Sequence, residues 1–166
     1  MKVFDGTSIM NELKRILFGL VLVWTASACS VNEPVLFDDA FVYLVDENGQ
    51  SSSEIPWDSN HNLQTYYVKL VCPGNFGEVN ISYDLIVGDG LKEGVDFKHI
   101  RSTASPLVFP DGVYSRPIRI EWLRHELDPE KDNSLTISIA GSSNDQVSLG
   151  KPGPDHIGKD YRIVKK

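Results

Sequence analysis

The chain has 166 residues, 23% of them charged, and a formal net charge of −7 at neutral pH. That balance leaves no basic face to neutralise phosphates, which argues against nucleic acid as a partner. Two cysteines in a chain of this length exclude a disulfide-stapled scaffold and suit one domain behind a short leader.

The first segment reads as an export address. Lys14 and Arg15 precede an apolar run over 16–24, and the small residues Thr25-Ala26-Ser27-Ala28 lead to Cys29. A charged region, a short apolar core and a small-residue cleavage site make a secretory signal. The run is far short of the roughly 20 residues that a membrane-spanning helix needs. Small residues ending at a cysteine resemble the bacterial lipobox, although Ala26 stands where leucine is usual. The resemblance implies removal of residues 1–28, a thioether-linked diacylglycerol on Cys29 and an amide-linked third chain (palmitate). Two or three acyl chains anchor firmly, at about 0.8 kcal/mol per buried CH₂. A start at Met10 would already give a compact charged region, so residues 1–9 are expected to be absent from the precursor.

Residues 29–40 hold Pro34 and Asp38-Asp39 without an apolar period, and read as a tether. The signal carries a net +1 (Lys2, Lys14 and Arg15 against Asp5 and Glu12), which leaves the mature chain at −8. With Cys29 acylated, Cys72 has no disulfide partner and reads as a small core residue.

Residues 41–166 alternate apolar and polar in short blocks. Tyr66, Val68, Leu70 and Cys72 share one side, as do Val79, Ile81, Tyr83, Leu85 and Val87. The same holds for Ile118, Ile120 and Trp122, and for Leu135, Ile137 and Ile139. Period two marks half-buried strands. The apolar runs at 41–45, 107–109 and 161–164 supply three more. Turn residues separate the blocks at Pro73-Gly74-Asn75, Gly88-Asp89-Gly90, Pro110-Asp111-Gly112 and Lys151-Pro152-Gly153-Pro154. About seven short strands predict an all-β, immunoglobulin-like antiparallel sandwich, with Trp122 and Tyr83 at the centre of its core.

The order of these motifs resembles a known sandwich. Glu47-Asn48-Gly49, Gly94-Val95-Asp96-Phe97, the run 107–112, Ile118-Arg119-Ile120-Glu121-Trp122, the run 135–139 and Val147-Ser148-Leu149-Gly150 look like the Calx-beta domain. They resemble more closely an uncharacterised family of Bacteroidota-type surface lipoproteins built on that sandwich. The resemblance implies an outer-membrane, lipid-anchored protein in a glycan context, without a defined activity. Calx-beta domains bind calcium, which takes six to eight hard oxygen ligands. Glu47, Asp96 and Glu130 match acidic positions of that pattern. Against it, Arg124-His125 stands where the pattern carries two aspartates, and Lys165-Lys166 stands where it ends on acids. No metal and no other cofactor is expected.

Catalysis finds no support. Gly141-Ser142-Ser143 lacks the spacing of a nucleophile elbow. His61, His99, His125 and His156 are scattered and read as loop or surface residues, and Glu126, Asp128, Glu130 and Asp132 as a solvated turn. The loop 55–62 is the most suggestive segment. Sugars are held by an aromatic face under the ring and by amides and carboxylates on the hydroxyls, and Trp57 stands beside Asp58, Asn60 and Asn62. The alternative reading packs Trp57 beneath its own loop. The expected function is a non-enzymatic accessory lipoprotein that captures or presents glycans through Trp57, Asp58 and Asn60. The competing expectation is a structural module that docks on another envelope protein through a sheet face or edge.

Overall fold

The computed structural model describes residues 39–166 apart from 75, 101 and 102, so the signal, Cys29 and most of the tether lie outside the described residues. Ten strands occur among them: β1 (Ala40–Asp46), β2 (Ser52–Ile55), β3 (Asn62–Val71), β4 (Val79–Val87), β5 (Phe97–His99), β6 (Leu107–Phe109), β7 (Ser115–Trp122), β8 (Ser134–Ser142), β9 (Val147–Leu149) and β10 (Asp160–Lys165). They form two five-stranded sheets, ordered β5-β7-β3-β1-β9 and β2-β10-β8-β4-β6.

The count corrects the expected seven. The three strands that alternation does not show are β2, β5 and β9, of four, three and three residues. Each lies at an outer edge of its sheet. An edge strand pairs on one side only and needs few residues to do so, which leaves too little sequence to display a period. The antiparallel expectation also needs a correction at two edges, because β9 pairs parallel to β1 and β2 parallel to β10.

The alternating residues meet between the sheets. Val42, Leu44, Val68, Ile118, Ile120 and Trp122 face Ile81, Leu135, Ile137, Ile139 and Ile163, all of them shielded from solvent. Each large apolar side chain so buried contributes about 1.5–3 kcal/mol. Trp122 and Tyr83 are both buried, as alternation places them. In β4 the alternation fades after a register shift between Ser82 and Tyr83, and Val87 at its end is exposed. A bulge of this kind turns the following side chains relative to the sheet. Cys72 is a free thiol packed against the core.

Polar groups also enter the interior. The Tyr66 and Tyr161 rings lie 4.9 Å apart, and Tyr161 donates to Asp46 Oδ2 at 3.3 Å. Burial pushes the Tyr66 hydroxyl up to about 12, partly offset by Trp122 and Ser53 beside it. Neither neighbour closes a hydrogen bond of normal geometry with it.

Candidate functional site

The period of β10 runs one step beyond its apolar residues. Tyr161 and Ile163 point inward, and Lys165, two further on, follows them with its side chain fully buried. Its ammonium donates to Asp96 Oδ1 at 3.1 Å and to the Leu123 carbonyl at 2.9 Å. Asp96, itself buried, accepts the Lys92 backbone N–H at 2.9 Å on Oδ2 and lies 3.1 Å from His125 Nδ1. A buried carboxylate is tolerated only with partners of this kind.

The end of the chain then ties down the loop that follows β2. Trp57 N–H donates to the Lys166 carbonyl at 2.7 Å, and Lys166 N–H to the Ile55 carbonyl at 2.9 Å. At the far end of the loop, His61 Nδ1 lies 2.6 Å from Glu121 Oε1, which holds that carboxyl below its usual range. Two fixed ends place Trp57 at the rim of an open groove of about 650 Å³. Trp57 is 43% exposed, with the Arg124 guanidinium 5.5 Å from its ring centroid.

The 126–133 loop also lines the groove, through Glu126, Leu127, Pro129, Lys131, Asp132 and Asn133. The Gly88-Asp89-Gly90 turn holds this loop. Gly88 N–H donates to Ser134 O at 2.8 Å, Gly90 N–H to Asp132 O at 3.0 Å, and Asp132 N–H to Asp89 Oδ1 at 2.9 Å. A Cβ at Gly88 would stand 2.1 Å from the Asp132 carbonyl oxygen, so only glycine allows that approach.

Of the residues expected to act together, Trp57 borders the groove, whereas Asp58 and Asn60 are exposed and do not line it. The polar groups that share the groove with Trp57 come from the 126–133 loop and from Lys165 and Lys166, and the Arg124 guanidinium lies over its ring. Those loop acids read as a solvated turn in the sequence. They are indeed exposed, and two of them, Glu126 and Asp132, line the groove. His99 corrects the reading of the histidines, since it lies in β5, half-buried, with Nε2 2.8 Å from the Tyr83 hydroxyl.

Calcium does not fit the acids that match its pattern. Among the described residues no three His, Cys, Asp or Glu side chains converge as a metal site. Glu47 lines a separate depression with Asp46, Tyr67 and Lys69, and Asp96 already holds the Lys165 ammonium.

No family model matches the chain, and no curated protein matches it. Among solved structures it is similar to the crystal structure of the apo form of the Calx CBD1 domain. The TM-score is 0.48 and the identity 18%, over 76% of this chain and 98% of that one. The two-sheet architecture rests on the strand pairing itself.

Proposed function

We propose that this chain is a non-enzymatic accessory lipoprotein of the outer membrane, a Calx-beta-like sandwich that captures or presents glycans in the groove beside Trp57. The observation that carries the reading is an exposed tryptophan, Trp57, on an open 650 Å³ groove whose lining sets Glu126, Lys131 and Asp132 among the apolar Leu127, Pro129 and Val164. Ligand sites combine an apolar platform with a few placed polar groups, and loops on a rigid scaffold commonly supply both. A sugar's C–H face can lie on the ring. Its hydroxyls then meet Glu126 and Asp132 as acceptors and Lys131 as donor.

The test is a glycan array probed with the full chain in detergent, beside Trp57→Ala. Wild-type binding lost in the variant upholds the reading, and no wild-type ligand on a broad array defeats it. One observation favours the docking alternative: β6 pairs only with Val79–Ile81 of β4, and beyond that pairing Ile86 and Val87 are exposed. Capture of an envelope protein, lost in Ile86→Lys and kept in Trp57→Ala, would put that reading first.

A further inference from the structure

On the side away from β8, β4 is only partly covered. β6 pairs with Val79–Ile81, and β4 runs on to Val87 beyond that pairing. The hydrogen bonds around this stretch fix where its backbone groups point. The Asn80 carbonyl accepts Ser143 N–H at 2.9 Å and Gly88 N–H donates to Ser134 O at 2.8 Å, so the even-numbered residues turn toward β8. Tyr83 N–H instead donates to Ser105 Oγ at 3.0 Å, away from β8. Its partner on β8, Ile139, also turns its N–H away, to the Lys159 carbonyl at 3.0 Å.

In an antiparallel pair, residues that bond across alternate with residues that do not. Leu85 and Val87 share the parity of Tyr83 and therefore present their N–H and C=O groups to the open side. Among the described residues these groups meet no hydrogen-bond partner there. Edge strands are commonly blunted by lysine or proline. Leu85-Ile86-Val87 carries neither, Ile86 and Val87 are exposed, and the bulge between Ser82 and Tyr83 lies before the open stretch.

The same parity makes this edge complementary to itself. An identical strand laid antiparallel about a two-fold axis at Ile86 sets Leu85 of each copy opposite Val87 of the other. All four of those residues face the contact, so each pair can exchange two N–H···O bonds. Ile86 then meets Ile86 in the non-bonded position, with Cα atoms about 4.5 Å apart and both side chains on one face. Asp84 falls opposite Gly88 of the second copy, so no like charges stand directly opposed. The Gly88-Asp89-Gly90 turn bends toward β8, where Gly90 N–H donates to Asp132 O at 3.0 Å, and so leaves the edge clear.

We propose that the Leu85–Val87 edge pairs with the same edge of a second copy of this chain, joining two five-stranded sheets across a two-fold axis. Three residues a side bury far less than the roughly 800 Å² per partner of a stable interface, so the contact is reversible and forms where copies are held close. It rests on neither the glycan groove nor the lipid anchor. It gives the exposed end of β4 an occupant other than the envelope protein of the docking alternative.

A reversible contact is best trapped covalently. The full chain, concentrated in detergent with Cys72→Ala as the background, is oxidised as Ile86→Cys and, separately, as Asp84→Cys. Two cysteines at position 86 lie within disulfide reach across the axis and should give a band of twice the chain's mass. Position 84 is also exposed, but at about 3.4 Å per residue it stands about 14 Å from its counterpart and should give only the background yield. Adding Val87→Pro to Ile86→Cys removes an N–H that the chain's own sheet does not use, which an edge strand tolerates. It should cut the dimer yield at least fivefold while the urea midpoint stays near that of Ile86→Cys. Oxidation of Ile86→Cys in intact native cells should give the same band. Equal yields at positions 84 and 86, no dimer at 86, or a yield that Val87→Pro leaves unchanged would overturn the proposal. A cross-linked product of another mass in the native cells, without the dimer, would assign the edge to a different protein and overturn it too.

Discussion

Trp57 and Lys165 both line the same groove and answer to different physics. Trp57 is 43% exposed, and its contact with Arg124 is of the exposed cation–π kind, worth about 0.5–1 kcal/mol. Trp57→Ala should therefore cost about 1–2 kcal/mol in urea denaturation, well below the 3–5 kcal/mol of a fully buried aromatic, while glycan binding disappears. A full-sized stability loss, with binding falling in step, would make Trp57 a packing residue. Lys165→Met is the opposite case. It leaves the buried Asp96 carboxylate with only the Lys92 backbone N–H and the half-exposed His125 ring beside it, and breaking a buried pair costs about 3–5 kcal/mol. The double variant Lys165→Met, Asp96→Asn should recover part of that loss, and a double-mutant cycle showing no coupling would deny the pair its structural role. Trp57 was legible in the sequence as the tryptophan outside both the signal and the strand pattern. Asp58 and Asn60 were grouped with it by adjacency along the chain, but the groove takes its polar wall from a loop brought there by the sheet. Lys165 continues the period of Tyr161 and Ile163, and its charge hid the signal.

At the scale of elements, alternation reveals long strands and misses short ones. β3, β4, β7 and β8 each run for eight to ten residues and show their inward faces in the sequence. The edge strand β5 has three residues, yet it brings His99 against Tyr83. Burial holds the His99 imidazole below its ordinary 6.5, against the Glu93 charge and the Thr103 carbonyl, which pull it upward. An unfolded histidine titrates near 6.5, so below that pH the unfolded chain binds the proton first. This contribution to stability is therefore complete above 6.5 and is lost as pH falls toward the folded value. Glu121, held low chiefly by its hydrogen bond with His61, loses its own contribution only below its ordinary 4.5. Urea midpoints measured at about pH 7.5 and about pH 5.5, on either side of the ordinary histidine value, should fall less in His99→Gln than in wild type. Equal slopes would mean that His99 is not the group responsible.

For the whole molecule, the proposed attachment to a membrane asks nothing of the sandwich itself. No helix among the described residues is long and apolar enough to cross a bilayer. The net charge of −7 disfavours adsorption to anionic headgroups, which attract polybasic segments. On the proposed reading, anchoring then falls to the acyl chains on Cys29, each CH₂ of which adds about 0.8 kcal/mol when buried. The second cysteine, Cys72, is packed against the core and offers no substitute. Cys29→Ala should abolish incorporation of a palmitate analogue and move the processed chain from the detergent phase to the aqueous phase. Trp57→Ala should leave both readouts as in wild type, because the groove has no part in anchoring. Some Cys29→Ala chain is expected to keep its signal and stay with the membrane, and intact mass separates it from processed chain. Processed Cys29→Ala that still takes the label, or still partitions as wild type does, would remove the lipid anchor from the proposed function and leave a glycan-binding sandwich held to the envelope by something else.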